Sequence, residues 1–338
     1  MDNFLDKIFF RSRNLNYISQ NLTDLTNQTP ANRIFEALNT YSKSSEVRYV
    51  GGCVRKIIKK QIVDDIDLAT NLKPSEVCDA LKKKEINFYE TGIDHGTITA
   101  IIDKHKYEIT SLRKDVSTDG RHAKVEFSTD WKEDAARRDF SINSIYSDKD
   151  GNLFDPFNGK KDLENGNINF IGNAENRIKE DYLRILRYVR FFINYSNQNH
   201  NPKIIKIIKK NIGGVSKLSS ERLLDEFKKL TKSNAFLKIF KDEISLELIE
   251  IIFPQLKNLE NFKKLNSYAL DNLSKIDFIF LLSLMIVDGT DNTDYFIYKF
   301  NLSKKDQKRL KSIDFFYKEN LSIKNFNEKN LNKIFYFN

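Results

Sequence analysis

The chain has 338 residues, and its 56 Lys and Arg outnumber its 47 Asp and Glu, for a formal net charge of +9. With 40% hydrophobic residues it can build packed cores, while its two cysteines rule out a disulfide framework or a CxxC metal site and point to a reducing compartment, expected to be the cytoplasm. No apolar run reaches the roughly 18 residues of a membrane helix, and Met1 to Phe10 carries early acids without a cleavage site, so no signal peptide is expected. The charge is uneven. From Phe191 onward 25 basic residues face 17 acidic ones, an excess of eight, whereas the upstream part is nearly balanced. The basic region suits an acidic partner, of which nucleic acid is the commonest.

In chain order, residues 1–45 read as polar helix, with apolar positions at helical spacing in Arg33-Ile34-Phe35-Glu36-Ala37-Leu38. A short β-type run, Val47 to Val50, meets Gly51-Gly52, and a helix is expected from Cys53 to Lys60. The β-branched stretch Ile62 to Ala69 reads as a strand. Pro74 opens a helix at its first turn. Thr97 to Ile102 and Tyr107 to Leu112 read as a hairpin, 113–130 as a polar loop, and Trp131 to Tyr146 as a helix. Short strands are expected over Asn152 to Phe157 and Asn167 to Ile171, and helices from Asn176 to the end.

Gly51-Gly52-x-Val54-Arg55 lies between a strand and a helix. Glycines let a ligand approach the backbone, a helix N-terminus favours phosphate, and Arg55 adds charge-assisted hydrogen bonds. The plain alternative is an ordinary turn. In Asp65-Ile66-Asp67 the carboxylates stand two apart on one strand face. Such a pair is costly without a cation, and Mg²⁺ with shared phosphate ligands fits. A solvated acidic edge is the alternative. Asp64 is expected on the opposite face. Glu108, on the second hairpin strand, is either a third carboxylate at the metal or a surface residue. His95 receives no catalytic role.

Glu133-Asp134-x-x-Arg137-Arg138-Asp139 is expected on a helix, as a surface salt-bridge network or as arginines that reach a nucleotide. Glu180-Asp181-x-x-Arg184-x-x-Arg187-x-x-Arg190 reads as one amphipathic helix, at about 100° per residue, with Asp181 and Arg184 one turn apart. A carboxylate only accepts and a guanidinium only donates. That pair complements the amine and ring-nitrogen edge of cytosine or adenine and mismatches uracil and guanine. An exposed salt bridge of little worth is the alternative.

Together these residues resemble the class II tRNA nucleotidyltransferases, the CCA-adding enzymes, which share their head with bacterial poly(A) polymerases. Eight ordered motifs carry the likeness over about two thirds of the chain: Tyr49 to Arg55, Asp65 to Thr70, Thr91 to Thr97, Glu108 to Arg113, Asp119-Gly120-Arg121, Arg137 to Asn143, Phe154-Asp155-Pro156 and Glu180 to Arg187. Leu218-Ser219-Ser220-Glu221-Arg222 is a weaker echo. Lys56 departs from the Asp or Asn usual there, Ser141 replaces a common Thr, and nothing beyond Leu256 matches clearly.

The resemblance implies an α+β fold: a polymerase-β-like nucleotidyltransferase head with a small mixed sheet over 1–172, a helical neck over 173–235, and a helical body and tail over 236–338 that binds tRNA. It implies that Asp65 and Asp67 hold Mg²⁺, with Glu108 completing the catalytic carboxylates. Gly51, Gly52 and Arg55 would touch the nucleotide, and Arg137, Arg138 and Asp139 its ribose or phosphates. Asp181 and Arg184 would select CTP and then ATP, supported by Arg187 and Arg190. The implied activity is template-independent addition of C, C and A to tRNA 3′ ends with release of pyrophosphate. CC-adding, A-adding and poly(A) activity are the nearer alternatives. The segment Lys114 to Asp130, with Asp119-Gly120-Arg121, disfavours a CC-only enzyme. A non-catalytic RNA-binding protein is the alternative of another class, and it would be expected to have lost Asp65 and Asp67.

Overall fold

The computed structural model describes residues 17–103, 105–118, 123–233, 235–266 and 273–320. The chain folds as two units: one runs to Arg184 and regains Tyr195–Ile207, and the other takes Ile185–Asn194 and the chain from Ile208 onward.

In the first unit, helices α1 (17–28) and α2 (Ala31–Asn39) lead into strand β1 (Val47–Val50). Helix α3 (Gly52–Ile58) and strand β2 (Ile66–Thr70) follow. Helix α4 (Pro74–Lys83) has proline in its first turn, and Glu76 accepts the Lys73 N–H at 2.8 Å, which ties down the helix start. Strands β3 (Asn87–Gly92), β4 (Thr97–Ile102) and β5 (His105–Ser111) form a meander. Strands β6 (Arg113–Thr118) and β7 (Ala123–Phe127) pair as a separate hairpin. Helix α5 (Trp131–Arg137) precedes the short strands β8 (Tyr146–Ser147) and β9 (Leu153–Phe154). The main sheet is mixed, in the order β3-β4-β5-β2-β1-β8-β9, with β2 and β5 parallel.

The two-residue period of the strands sorts the chemistry. Leu68 and Ile109, with Tyr49 and Ile98, face a core closed by α2, α3 and α4, where Leu38, Val54 and Leu81 are buried. Asp67, Ala69 and Glu108 fall on the opposite face. There α5 covers only part of the sheet, through Trp131 and Ala135 against Val50, Ala69 and Leu112. The sheet is thus sealed on one side and partly open on the other. The carboxylates stand on the open side.

Several sequence expectations need correction. Residues 62–65 are not in a strand, so Asp65 sits in the loop that enters β2. The expected polar loop 113–130 holds the β6–β7 hairpin, because cross-strand pairing such as Lys114 with Glu126 at 3.2 Å compensates for its polarity. Asp119-Gly120-Arg121 lies outside the described residues. The expected helix Trp131–Tyr146 stops at Arg137, where Arg138 turns extended, and β8 follows. The expected strand over Asn167–Ile171 reduces to a bridge between Phe140 and Phe170.

Helices α6 (Gly159–Asn165), α7 (Ala174–Glu180) and α8 (Leu183–Tyr195) continue the chain. Among the described residues every later element is helical. The second unit includes α10 (Ser220–Thr231), which follows α9 (Pro202–Asn211), and ends in α11 (Glu243–Ile252), α12 (Phe278–Ile286), α13 (Asn292–Phe300) and α14 (Lys304–Asn320). Its core is aromatic, with Phe227 and Phe253 centred 4.7 Å apart and Phe296 stacked on Phe300 at 4.3 Å.

Candidate active site

Asp67 pairs directly with Glu108 across β2 and β5, so both side chains rise from the same face of the sheet. Asp67 is half-buried, and its carboxyl is held above the usual carboxylate range. Burial is the main cause, and the negative charges of Glu108 and Asp65 add to it. Arg138 and Arg55 pull the other way without prevailing. Asp65, in the preceding loop, is exposed. Asp64 turns away into an ion pair with Lys56, which is the contact made by the departing residue of the Gly-Gly motif.

The turn between β1 and α3 lies against this acidic group. Gly51 has φ +67° and ψ −113°, a conformation that a side chain would strain. A Cβ on Gly52 would stand 3.7 Å from Asp67 Oδ2. A side chain at position 52 would therefore meet the carboxylate, and glycine leaves that space open. Cys53 is fully buried beneath it and donates weakly to the Val50 and Asp67 carbonyls, at 3.4 and 3.6 Å. Burial pushes its thiol up to about 11, so it acts as a packing group.

The arginines approach from two directions. Arg55, on α3, is buried and donates to Asn143 Oδ1, and Asn143 donates to Asp139 at 2.8 Å. Asp139 also accepts its neighbour's N–H, from Phe140, at 2.9 Å. Arg138 Nη1 lies 3.9 Å from where a Gly51 Cβ would stand. Arg137 and Arg138 both pair with Asp134, at 2.6 and 3.1 Å, and Tyr146 donates to Asp134 at 2.7 Å. The expected surface network is in fact buried: Asp134 is 1% exposed. Burial alone would raise its carboxyl, but Arg138 and Arg137 overcome that and hold it at about 2. The i, i+3 and i, i+4 spacing was visible in the sequence. The burial was not.

Asp181 and Arg184 do not share a helix. The chain breaks between α7 and α8, and Asp181 caps the second helix by accepting the Leu183 N–H at 3.1 Å. The ion pair of Arg184 is with Glu180, at 2.8 Å, and Arg184 also donates to the Arg177 carbonyl at 2.7 Å. Arg177 itself pairs with Glu180 at 2.5 Å and donates to the backbone carbonyls of Arg137 and Arg138. In the helical unit Arg190 and Arg187 pair with the buried Glu226 of α10, at 2.5 and 3.8 Å. The first unit thus gathers Gly51, Gly52, Arg55, Asp65, Asp67, Glu108, Arg137, Arg138 and Asp139 around one open sheet face. Sequence reasoning placed Asp134 only in a surface salt-bridge network and gave no role to Asn143, Tyr146, Arg177 or Glu226. All five contact a candidate site residue through the fold.

Among the described residues no group of three or more metal-ligating side chains forms. Two aspartates fit a divalent cation nonetheless: the negative charge around Asp67 outweighs its arginines, and two protein ligands leave positions for phosphate oxygens.

The mixed sheet, its Gly-Gly turn and its paired aspartates define a nucleotidyltransferase-type head followed by an all-helical region. Residues 47–169 match the Poly A polymerase head domain, and 201–260 match the probable RNA- and SrmB-binding site of polymerase A. The human mitochondrial CCA tRNA nucleotidyltransferase 1 is 38% identical over 282 residues, 82% of this chain and 63% of its own. A CCA-adding enzyme of Lactobacillus johnsonii is 36% identical over 226 residues, 65% of this chain and 56% of its own. The solved Bacillus stearothermophilus CCA-adding enzyme in complex with CTP superposes with a TM-score of 0.67 at 24% identity, covering 85% of this chain and 69% of that one. A tRNA nucleotidyltransferase solved with primer tRNA and an ATP analogue gives 0.67 at 23% identity, covering 87% and 88%. The chain is thus similar to tRNA nucleotidyltransferases and poly(A) polymerases in its head and in the helices that follow it. It spans less than two thirds of the length of its human, zebrafish and mouse relatives.

Proposed function

We propose that this chain adds C, C and then A to the 3′ ends of tRNA from CTP and ATP, without a nucleic-acid template. The observation that carries the reading is the register of Asp67 with Glu108 on an open sheet face, against the Gly51–Gly52 turn and Arg138. In the reaction the terminal hydroxyl of the RNA forms a bond to the α-phosphorus. The bond to the β-phosphate oxygen breaks, the hydroxyl loses its proton, and pyrophosphate leaves. Mg²⁺ held by Asp65 and Asp67 would activate the hydroxyl and neutralise charge on the leaving group.

The chain's own groups do the rest. The glycine turn admits the triphosphate close to backbone N–H groups. Arg55, Arg137 and Arg138 hold its charge. Asp139 sets Arg55 through Asn143. Glu108 shares the acidic face with Asp67. Asp181 and Arg184 present an acceptor and a donor suited to cytosine and adenine, and Arg187 and Arg190 brace the selecting helix. We assign 173–235 as neck and 236–338 as body and tail, where the excess positive charge suits the tRNA acceptor end.

We place the protein in the cytoplasm, where the buried thiols Cys53 and Cys78 would stay reduced. Among the described residues no helix is long and apolar enough to cross a membrane. The test is incubation of purified protein with tRNA ending at the discriminator base and CTP, ATP or both. Three added nucleotides, in the order C, C, A, are expected. Two, one or a long A tail would instead assign the CC-adding, A-adding or poly(A) activity. No extension in any mixture would overturn the enzymatic reading.

A further inference from the structure

Arg177 belongs to no motif that carries the nucleotide, yet it touches both arms that would grip one. Its side chain is 12% exposed. One guanidinium nitrogen, Nη1, pairs with Glu180 at 2.5 Å, and the other, Nη2, donates to two successive carbonyls, those of Arg137 and Arg138, the latter at 2.7 Å. These carbonyls close helix α5, whose last turn leaves acceptors without intrahelical donors. A guanidinium there satisfies them and complements the helix dipole. It also fixes the direction in which the chain leaves the helix. Arg138 is that exit residue, extended at φ −69° and ψ 160°, and its guanidinium lies beside Gly51. On the other side, the Arg177 carbonyl accepts from Arg184 Nη1 at 2.7 Å, and Glu180 is shared between Arg177 and Arg184.

We propose that Arg177 is a positioning residue that couples the phosphate-holding arginine, Arg138, to the base-selecting arginine, Arg184. Its side chain sets the backbone of the first, and its carbonyl and its Glu180 partner set the guanidinium of the second. A nucleotide seated on both arms therefore meets one rigid frame, and discrimination of the base is felt at the phosphate. A lysine in its place would keep the charge opposite Glu180. It has no planar fork, so it could not also hold two carbonyls. The proposal rests on the nucleotide-adding reading above.

The test compares the wild-type chain with Arg177→Ala and Arg177→Lys on tRNA ending at the discriminator base, with CTP and UTP measured separately. In Arg177→Ala the expected result is a KM for CTP raised roughly tenfold and a CTP-over-UTP preference reduced by a similar factor. Arg177→Lys should shift both in the same direction by less. Calorimetric titration of CTP without tRNA should show the same weakening independently of turnover, and thermal melting establishes that each variant is folded. If the alanine variant does not fold, the lysine variant decides. A uniform fall in kcat with the CTP-to-UTP ratio and KM unchanged would make Arg177 a merely structural residue and overturn the proposal, as would wild-type values for both. A wild-type chain that extends no tRNA would instead sink the nucleotide-adding reading.

Discussion

Asp134→Asn isolates the buried charge cluster that supports Arg138. In the wild type the Asp134 carboxylate is 1% exposed and meets two guanidinium groups and the Tyr146 hydroxyl, at 2.6, 3.1 and 2.7 Å. An asparagine keeps the shape but removes the counter-charge from both arginines. Breaking a buried pair by removing one partner costs roughly 3–5 kcal/mol. The titration of Asp134 gives a second measure. Its carboxyl is held at about 2 in the folded chain against an ordinary value of 3.8. A depression of that size corresponds to about 2 kcal/mol of stability. The sign follows from the direction of the shift. The contribution is fully present above the unfolded value, is lost as pH falls toward 2, and is absent in the asparagine variant. Urea unfolding of both proteins at pH 7 and at several values down to pH 2 provides the assay. The expected result is a variant less stable at pH 7 by about 2–5 kcal/mol, with the gap narrowing between pH 4 and pH 2. Equal stability at pH 7, or a gap that does not change with pH, would refute the claim that Asp134 is a buried counter-ion.

Asp67→Asn should reduce nucleotide transfer by at least roughly 1000-fold, equivalent to ~4 kcal/mol, with an unchanged melting temperature and unchanged tRNA binding by filter retention. Near-normal turnover would remove the acidic face from the mechanism. Arg184→Ala should lower the preference for CTP and ATP over UTP and GTP by about tenfold, the scale of a hydrogen bond to a charged group. Competition assays with unchanged ratios would leave Arg184 as a partner of Glu180 alone. The affinity for tRNA should fall steeply with salt, by roughly 0.7–0.9 log units per log unit of salt for each phosphate contacted. A flat dependence in a titration from about 50 to 200 mM salt would argue against docking on the basic helical region.

The sequence by itself determined which residue types could carry chemistry and where along the chain they fall. Gly51-Gly52, Asp67, Glu108 and the arginine pair Arg137-Arg138 stood out as candidates from residue type and spacing, because a tight backbone turn, a strand-face carboxylate and neighbouring opposite charges are local features. Tertiary structure decided where these positions meet. Asp67 and Glu108 are 41 positions apart and become neighbours only through the parallel pairing of β2 with β5. Local propensity also failed wherever long-range contacts won. The polar run after Leu112 pairs into a hairpin, because each strand supplies the other's hydrogen bonds. The helix expected through Tyr146 ends at Arg137, because Arg177, 39 positions beyond Arg138, satisfies the carbonyls of its last turn. Asp134 looked like a surface acid, since burial depends on what α5 packs against and not on its own sequence. Asp181 and Arg184 have the spacing of one helix turn, yet the chain breaks between them, and Glu180 takes the arginine instead. Residue chemistry is written along the chain. Which charges are desolvated, and which neighbour holds them, is settled only when distant segments share a surface.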